Sequence, residues 1–246
     1  MTEPRDANRR LERILLRARP SLVTVEYDGW ILRFANGYTK RANSVNPHFG
    51  SSLPASEKIE RCEALYRERG LPTTFRLTPF SEPAGLDRAL ERAGYAFLDR
   101  SLVMTADLDR LLDPDAVLHV SGDAWFAAFD RLQPLDPAER RTHRRIVEAA
   151  RADRCYAIVR RDAEPIACGL GVLVEDTICL FDLHTAEAER RRGHGTAIVG
   201  SILRWAHRRG ARTVALQVHS ENEPAHRLYR SYGFAVAYRY WYRNAG

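Results

Sequence analysis

Metal-binding and redox spacings are missing from this chain. Its four cysteines, Cys62, Cys155, Cys168 and Cys179, form no Cys-x-x-Cys pair, and no histidine stands at ligand spacing from any of them. That argues against a zinc site and a disulfide framework, and it leaves reduced, small, apolar side chains expected in the interior. No apolar run approaches the roughly 20 residues a membrane helix needs. The opening stretch, Met1 to Pro20, is charged throughout and lacks the apolar centre of a signal peptide, so a cytoplasmic location is expected. Lysine is nearly absent: 36 of the 38 basic residues are arginine, which says more about a GC-rich genome than about a ligand. The formal charge of +6 has no focus, with 18 basic against 15 acidic residues through Leu112 and 20 against 17 after it. A nucleic-acid binder would concentrate such an excess, and no basic-aromatic motif accompanies it. Neither a nucleic acid nor a membrane is therefore expected as a partner.

With 45% hydrophobic and 28% charged residues, the chain has the composition of a globular protein. Its length suits one large domain or two small ones. Residues 1–20 read as a helix with Leu11, Ile14 and Leu15 on one side, ended by Pro20. Leu22 to Phe34 reads as a hairpin turning at Asp28-Gly29. A helix is expected over Glu57–Arg69, a strand over Thr73–Thr78, a short helix over Ala84–Ala93 and a long strand from Tyr95 to about Leu108. The polar stretch ending in Asp113-Pro114-Asp115 marks a domain boundary. Beyond it come a strand (Val117–Val120), helices (Ala124–Leu132 and Pro137–Ala152) and strands (Cys155–Arg160, Pro165–Leu173 and Thr177–Leu183). A helix at Gly195–Arg209, a strand at Thr213–Val218, a helix at Pro224–Ser231 and a strand at Phe234–Tyr242 complete the order. Strand, helix, Gly-aromatic, strand occurs both in Thr73–Leu108 and in Val214–Tyr242, a faint internal echo.

Chemistry concentrates after Phe181. A strand runs into a turn holding Arg190, Arg191, Arg192, Gly193, His194, Gly195 and Thr196, and a helix follows at once. Alternate glycines let several backbone N–H groups converge, and the helix N-terminus adds orphan donors and partial positive charge. Such a turn is an anion cradle suited to a pyrophosphate, although two glycines alone equally mark an ordinary helix start.

Arg190-x-x-Gly193-x-Gly195, followed by Asn222-x-x-Ala225-x-x-Leu228-Tyr229-x-x-x-Gly233-Phe234, resembles the two signature blocks of the GNAT acetyltransferase superfamily. The resemblance runs from about Val117 to Tyr242. It implies an α/β (α+β) fold, a mixed, mostly antiparallel sheet flanked by helices, and acetyl-CoA as co-substrate. It also implies that the strand before the loop splays from its neighbour. Leu183 and Thr185 would then offer backbone groups to the pantetheine and the acetyl carbonyl, Arg190 to Thr196 would hold the pyrophosphate, and Asn222 would touch the pantetheine arm. Tyr229 would protonate the departing thiolate, a role for which a phenol protonated at neutral pH is suited. Where some members of the superfamily carry a glutamate this chain has Cys179, so the base stays open among Asp182, His184, His219 and Glu221.

The expected organisation is a degenerate GNAT-like half, 1–112, and an acetyl-CoA-binding catalytic half, 113–246. In the first half Lys40 to Pro54 replaces the glycine-spaced loop, so it should bind no CoA. Arg41, Asn43 and Ser44 either line an acceptor pocket between the halves or form a polar loop that satisfies its own backbone. The reading is an N-acetyltransferase, monomeric or homodimeric, that acts on an amine of a small molecule or protein. A non-catalytic CoA-binding module and an RNA- or ribosome-associated protein are the rivals.

Overall fold

The computed structural model describes residues 4–50, 52–108 and 118–246; the expected boundary between 112 and 113 lies outside them, as does Val117. Helix α1 (Pro4–Ala18) buries Leu11, Ile14, Leu15 and Ala18, spaced as one face of a helix. Strands β1 (Val23–Tyr27) and β2 (Trp30–Phe34) turn over Asp28 and Gly29, whose φ angles of 40° and 80° are those a tight two-residue hairpin demands. There follow β3 (Val45–Pro47), α2 (Ala55–Arg67), β4 (Thr74–Leu77), α3 (Leu86–Arg92) and β5 (Ala96–Asp107). The later elements are β6 (Leu118–His119), α4 (Gly122–Leu132), α5 (Pro137–Ala149), β7 (Asp153–Arg161), β8 (Glu164–Val174), β9 (Thr177–Thr185), α6 (His194–His207), β10 (Thr213–His219), α7 (Glu223–Ser231) and β11 (Ala235–Asn244).

Strand β3 falls inside the stretch read from sequence as a loop. Val45, Asn46 and Pro47 are buried between β2 and β4, and the Asn46 amide donates to the carbonyls of Ser44 (2.8 Å) and Ile31 (3.4 Å). Asparagine and proline are poor strand formers, so only the packing around this segment makes it one.

The eleven strands of the described residues form a single sheet in the order β1-β2-β3-β4-β11-β5-β10-β9-β8-β7-β6. It is mixed and mostly antiparallel, as expected; β3–β4 and β9–β10 are its parallel pairs. At its centre the last strand of the chain, β11, lies between β4 and β5, and β5 lies between β11 and β10. One hydrophobic cluster joins α1 and α4 to β8 and β9, a second joins α6 and α7 to β8, β9 and β10, and a third gathers Trp30, Phe75 and Tyr66 under α2 and α3. All four cysteines are free and buried.

Candidate functional site

The site begins where two strands part. β9 and β10 pair in parallel from Thr177↔Thr213 to Leu180↔Leu216, and beyond that each continues without the other, to Thr185 and His219. On the other side β9 stays paired with β8 but slips register between Leu170↔Phe181 and Cys168↔His184. This bulge centres on Asp182, whose φ is 51°. Leu183, His184 and Thr185 follow it, half-buried, past the last pairing with β10, so on that side their backbone has no strand partner.

A 3-10 turn (Glu187–Glu189) leads from β9 into Arg190, Arg191 (φ 64°) and Gly193 (φ 83°), the residue that caps α6. Among the described residues, no carbonyl accepts the N–H groups of Arg191 to Thr196, while Ala197 N–H already donates to Gly193 (3.0 Å). These are the orphan donors of a helix start, extended back through the turn. Glu189, nearly buried, ties the loop down by accepting from Arg161 Nη1 and by facing His194 Nε2 at 3.3 Å. Arg190, Arg191 and Arg192 are exposed. Gly193 is required by its backbone angle, since nothing crowds the place of a Cβ there. Gly195 lies close to α7: a Cβ would stand 3.2 Å from Leu228 Cδ2, a tight contact that this half-buried side chain would have to relieve by a few tenths of an ångström.

Asn222 is the N-cap of α7, and its Oδ1 accepts from Ala225 N–H at 3.2 Å, while its Nδ2 has no partner among the described residues. Tyr229 is 7% exposed and packs against Phe234 at 5.6 Å between ring centres. Burial pushes its phenol up to about 12, against the pull of the nearby Arg41 guanidinium, and no described residue shares a hydrogen bond with its hydroxyl.

The structure separates the four candidate bases. Asp182 is half-buried; the loss of solvent alone would raise its carboxyl, but Arg19 (Nη1 to Oδ2, 2.8 Å) and His143 (Nε2 to Oδ2, 2.9 Å) hold it well below the usual carboxylate range. It is thus an ionised anchor. Glu221 and His219 are exposed, and the His219 Nδ1 accepts from Glu221 N–H. His184 is half-buried with its ring edge-on to Phe129 at 5.2 Å; burial lowers its pKa below the ordinary value, and no described residue hydrogen-bonds to either ring nitrogen. Cys179, fully buried, has its thiol pushed far up by burial.

Asn43 proves to be a loop residue. Its Oδ1 accepts from Ala35 and Gly37 N–H, and its Nδ2 donates to the carbonyls of Ala35, Tyr38 and Thr39. The buried Ser44 hydroxyl has no partner among the described residues. Arg41 is electrostatically coupled to Tyr229 and Asp182. Sequence reasoning missed the Arg19–Asp182–His143 chain, since three residues far apart in sequence leave no local signature. It also missed the backbone of Gly169, whose carbonyl accepts from Trp125 Nε1 at 3.0 Å opposite the β9 bulge.

Residues 7–243 match the family described as probable histone acetyltransferase Rv0428c C-terminal. An uncharacterized N-acetyltransferase, YobR of Bacillus subtilis (strain 168), is 29% identical over 97% of this chain and 98% of its own length. Among solved structures, a GCN5-related N-acetyltransferase from Kribbella flavida superposes with a TM-score of 0.70 at 16% identity, covering 99% of this chain and 95% of that one. A tandem GNAT protein from the clavulanic acid biosynthesis pathway gives a TM-score of 0.60 at 14% identity, covering 78% of this chain and 70% of that one.

Proposed function

The chain belongs to the family described as probable histone acetyltransferase Rv0428c C-terminal and is an acyltransferase of the GNAT type, and we propose that it moves an acetyl group from acetyl-CoA to a primary amine. The observation that carries this reading is the parting of β9 from β10 beside a helix-capping loop whose N–H groups have no carbonyl partner. Those donors, with the positive end of α6, suit a pyrophosphate. The free backbone edge of Leu183 and Thr185 suits the pantetheine amides and the acetyl carbonyl, and the unused Nδ2 of Asn222 is available to the same arm.

In this reading the residues act on a direct attack of the amine on the thioester. Alignment of amine and thioester supplies much of the acceleration, and fixed backbone donors stabilise the oxyanion. Tyr229 gives its proton to the departing sulfur, which its raised pKa allows at neutral pH. His184, neutral and without a hydrogen-bond partner, takes the proton from the amine. The first half contributes no second cofactor site. Its helix α2 also follows a strand of a parallel pair, β3–β4, yet Lys40–Pro54 offers no glycine-spaced turn ahead of it. We read it as a degenerate copy of the second half.

Calorimetry with acetyl-CoA tests the site directly. One equivalent per chain is expected, and none for Gly195→Val, whose side chain pushes into Leu228 and narrows the cradle. Two equivalents would overturn the degeneracy of the first half. Release of free thiol with a panel of amines tests the reaction; tight CoA binding without turnover on any amine would favour a non-catalytic module.

A further inference from the structure

Four arginines from the first half of the chain converge in the interior. Arg19 follows α1, Arg33 lies on β2, Arg41 on the 3-10 turn Lys40–Ala42 and Arg76 on β4; together with Gln217 of β10 they line one crevice. Gln217 is the first residue of β10 past its last pairing with β9, so the crevice meets the opening between those strands. Arg19, Arg33 and Arg76 are no more than 7% exposed, and Arg41 is half-buried.

The cluster is short of negative charge. Arg76 is paired with Glu12, which also accepts from the Tyr238 hydroxyl, and Arg19 is paired with Asp182. Arg33 has only backbone carbonyls, those of Arg41 (2.6 Å) and Arg19. The Arg41 guanidinium makes no hydrogen bond or ion pair with any described residue. Two carboxylates thus face four guanidiniums. Burial pushes Arg33 down to about 10, with Arg76 adding to the effect, whereas at Arg41 burial is outweighed by Tyr240, Tyr242 and Asp182, which hold it up. Uncompensated buried charge is costly, and evolution seldom keeps it without a counter-charge that arrives at some stage.

We propose that this crevice binds a carboxylate of the acceptor, so that the enzyme acetylates small amines that also bear a carboxylate, with Arg41 as the principal contact. The inference rests on the transferase reading for its catalytic meaning; the anion site itself does not depend on it. The planar fork of a guanidinium matches a carboxylate in two parallel hydrogen bonds. The free space in the crevice is about 10 Å³, room for no more than one water, so a carboxylate enters only where a lining side chain such as the half-buried Arg41 gives way, and a planar carboxylate demands less widening than a tetrahedral phosphate. Neighbouring guanidiniums also favour the neutral, nucleophilic form of the acceptor amine. A lysine-rich peptide would bring like charge to like charge here.

Titration calorimetry in chloride-free buffer tests the site without turnover. The probes are N-acetylglycine, its amide N-acetylglycinamide, and inorganic phosphate. The acid should bind at least about tenfold more tightly than the amide or phosphate. Arg41→Gln should lose that preference while still binding acetyl-CoA, and Arg41→Lys should keep part of it. Equal affinity for acid and amide, no binding of either to the unaltered chain, or an Arg41→Gln variant that binds as before would each overturn the proposal. Phosphate binding as tightly as the acid would replace it with a general anion hole. Carboxylate binding without any acetyl-CoA binding would instead sink the transferase reading and leave the anion site standing.

Discussion

A phenol in an apolar setting keeps its proton, and Tyr229 is such a phenol, with burial holding its pKa near 12. Tyr229→Phe removes the hydroxyl and leaves the contact with Phe234, so folding should be unaffected. If the phenol protonates the departing thiolate, kcat should fall at least about tenfold, the low end of general acid effects being larger still, while the affinity for acetyl-CoA changes little. Steady-state kinetics at saturating acetyl-CoA checks this, and an unchanged kcat with chemistry rate-limiting would leave Tyr229 a packing residue. His48 provides a second test. It is 3% exposed, and burial lowers its pKa to about 4, against the opposing pull of Glu12, 3.6 Å away. Between its ordinary value near 6.5 and 4 the unfolded chain binds the proton and the folded one does not. The shift therefore costs nothing above about pH 6.5 and removes stability as pH falls toward 4, by an amount on the order of 3 kcal/mol in all. His119 and His184 are also lowered and act in the same direction. Denaturant melts from pH 7 to 5 should show a shallower loss for His48→Gln than for the unaltered chain; parallel curves would mean that folding does not lower the pKa of His48. At this scale the sequence displayed Tyr229 and the glycines because they sit in fixed local spacings. It hid the Arg19–Asp182–His143 chain and the arginine crevice, which exist only after distant elements have packed.

Helices and strands carry their own constraints, clearest where α6 lies on β8. A Cβ at Gly169 would stand 2.4 Å from Ile198 Cγ2, and one at Gly171 would stand 2.4 Å from Ile202 Cγ2. The helix therefore rests on bare backbone, as a glycine inside a strand often signals. Gly171→Ala should force α6 outward and cost about 1–3 kcal/mol. Because α6 starts at the Arg190–Thr196 loop, acetyl-CoA affinity should fall along with stability. Thermal melting and CoA titration of the same variant check both, and an unchanged melting temperature would mean that α6 has room to shift. Gly169 and Gly171 were readable as Gly-Leu-Gly within an apolar strand, but the helix they accommodate was not. Most elements were legible because apolar period and breaker residues agreed, as in α6 with Ile198, Ile202 and Trp205 inward and Gly210 (φ 82°) past its end. Strand β3 was illegible because its Asn46 and Pro47 carry no strand signal of their own.

The sheet as a whole follows an order that sequence reasoning did not anticipate. A chain of strands that reads as two successive halves suggests two sheets laid end to end, yet β5 and β11 exchange places at the centre. β5 pairs with β10 from Ser101↔His219 to Asp107↔Thr213, and β11 pairs with β4 from Leu77↔Trp241 to Thr74↔Asn244. The two also pair with each other along nearly their whole length, from Ala96↔Asn244 to Thr105↔Ala235. Local periodicity reveals that a segment is a strand, but pairing partners over 100 residues apart are set by global packing. The consequence is mutual dependence. Residues 113–246 alone would leave one long side of β10 and both sides of β11 without partners, and residues 1–112 would do the same to β4 and β5. Such long unpaired edges template aggregation. We expect each fragment to be unfolded or aggregated when produced by itself, and the two to assemble into a one-to-one complex when produced together. That complex should bind acetyl-CoA like the intact chain, because the cradle, Asn222 and Tyr229 all lie in the second fragment. Sedimentation, circular dichroism and CoA titration of the separate and combined fragments decide the matter. If 113–246 alone proved monomeric, cooperatively folded and competent for CoA, the shared centre of the sheet would be dispensable and the halves would be independent domains.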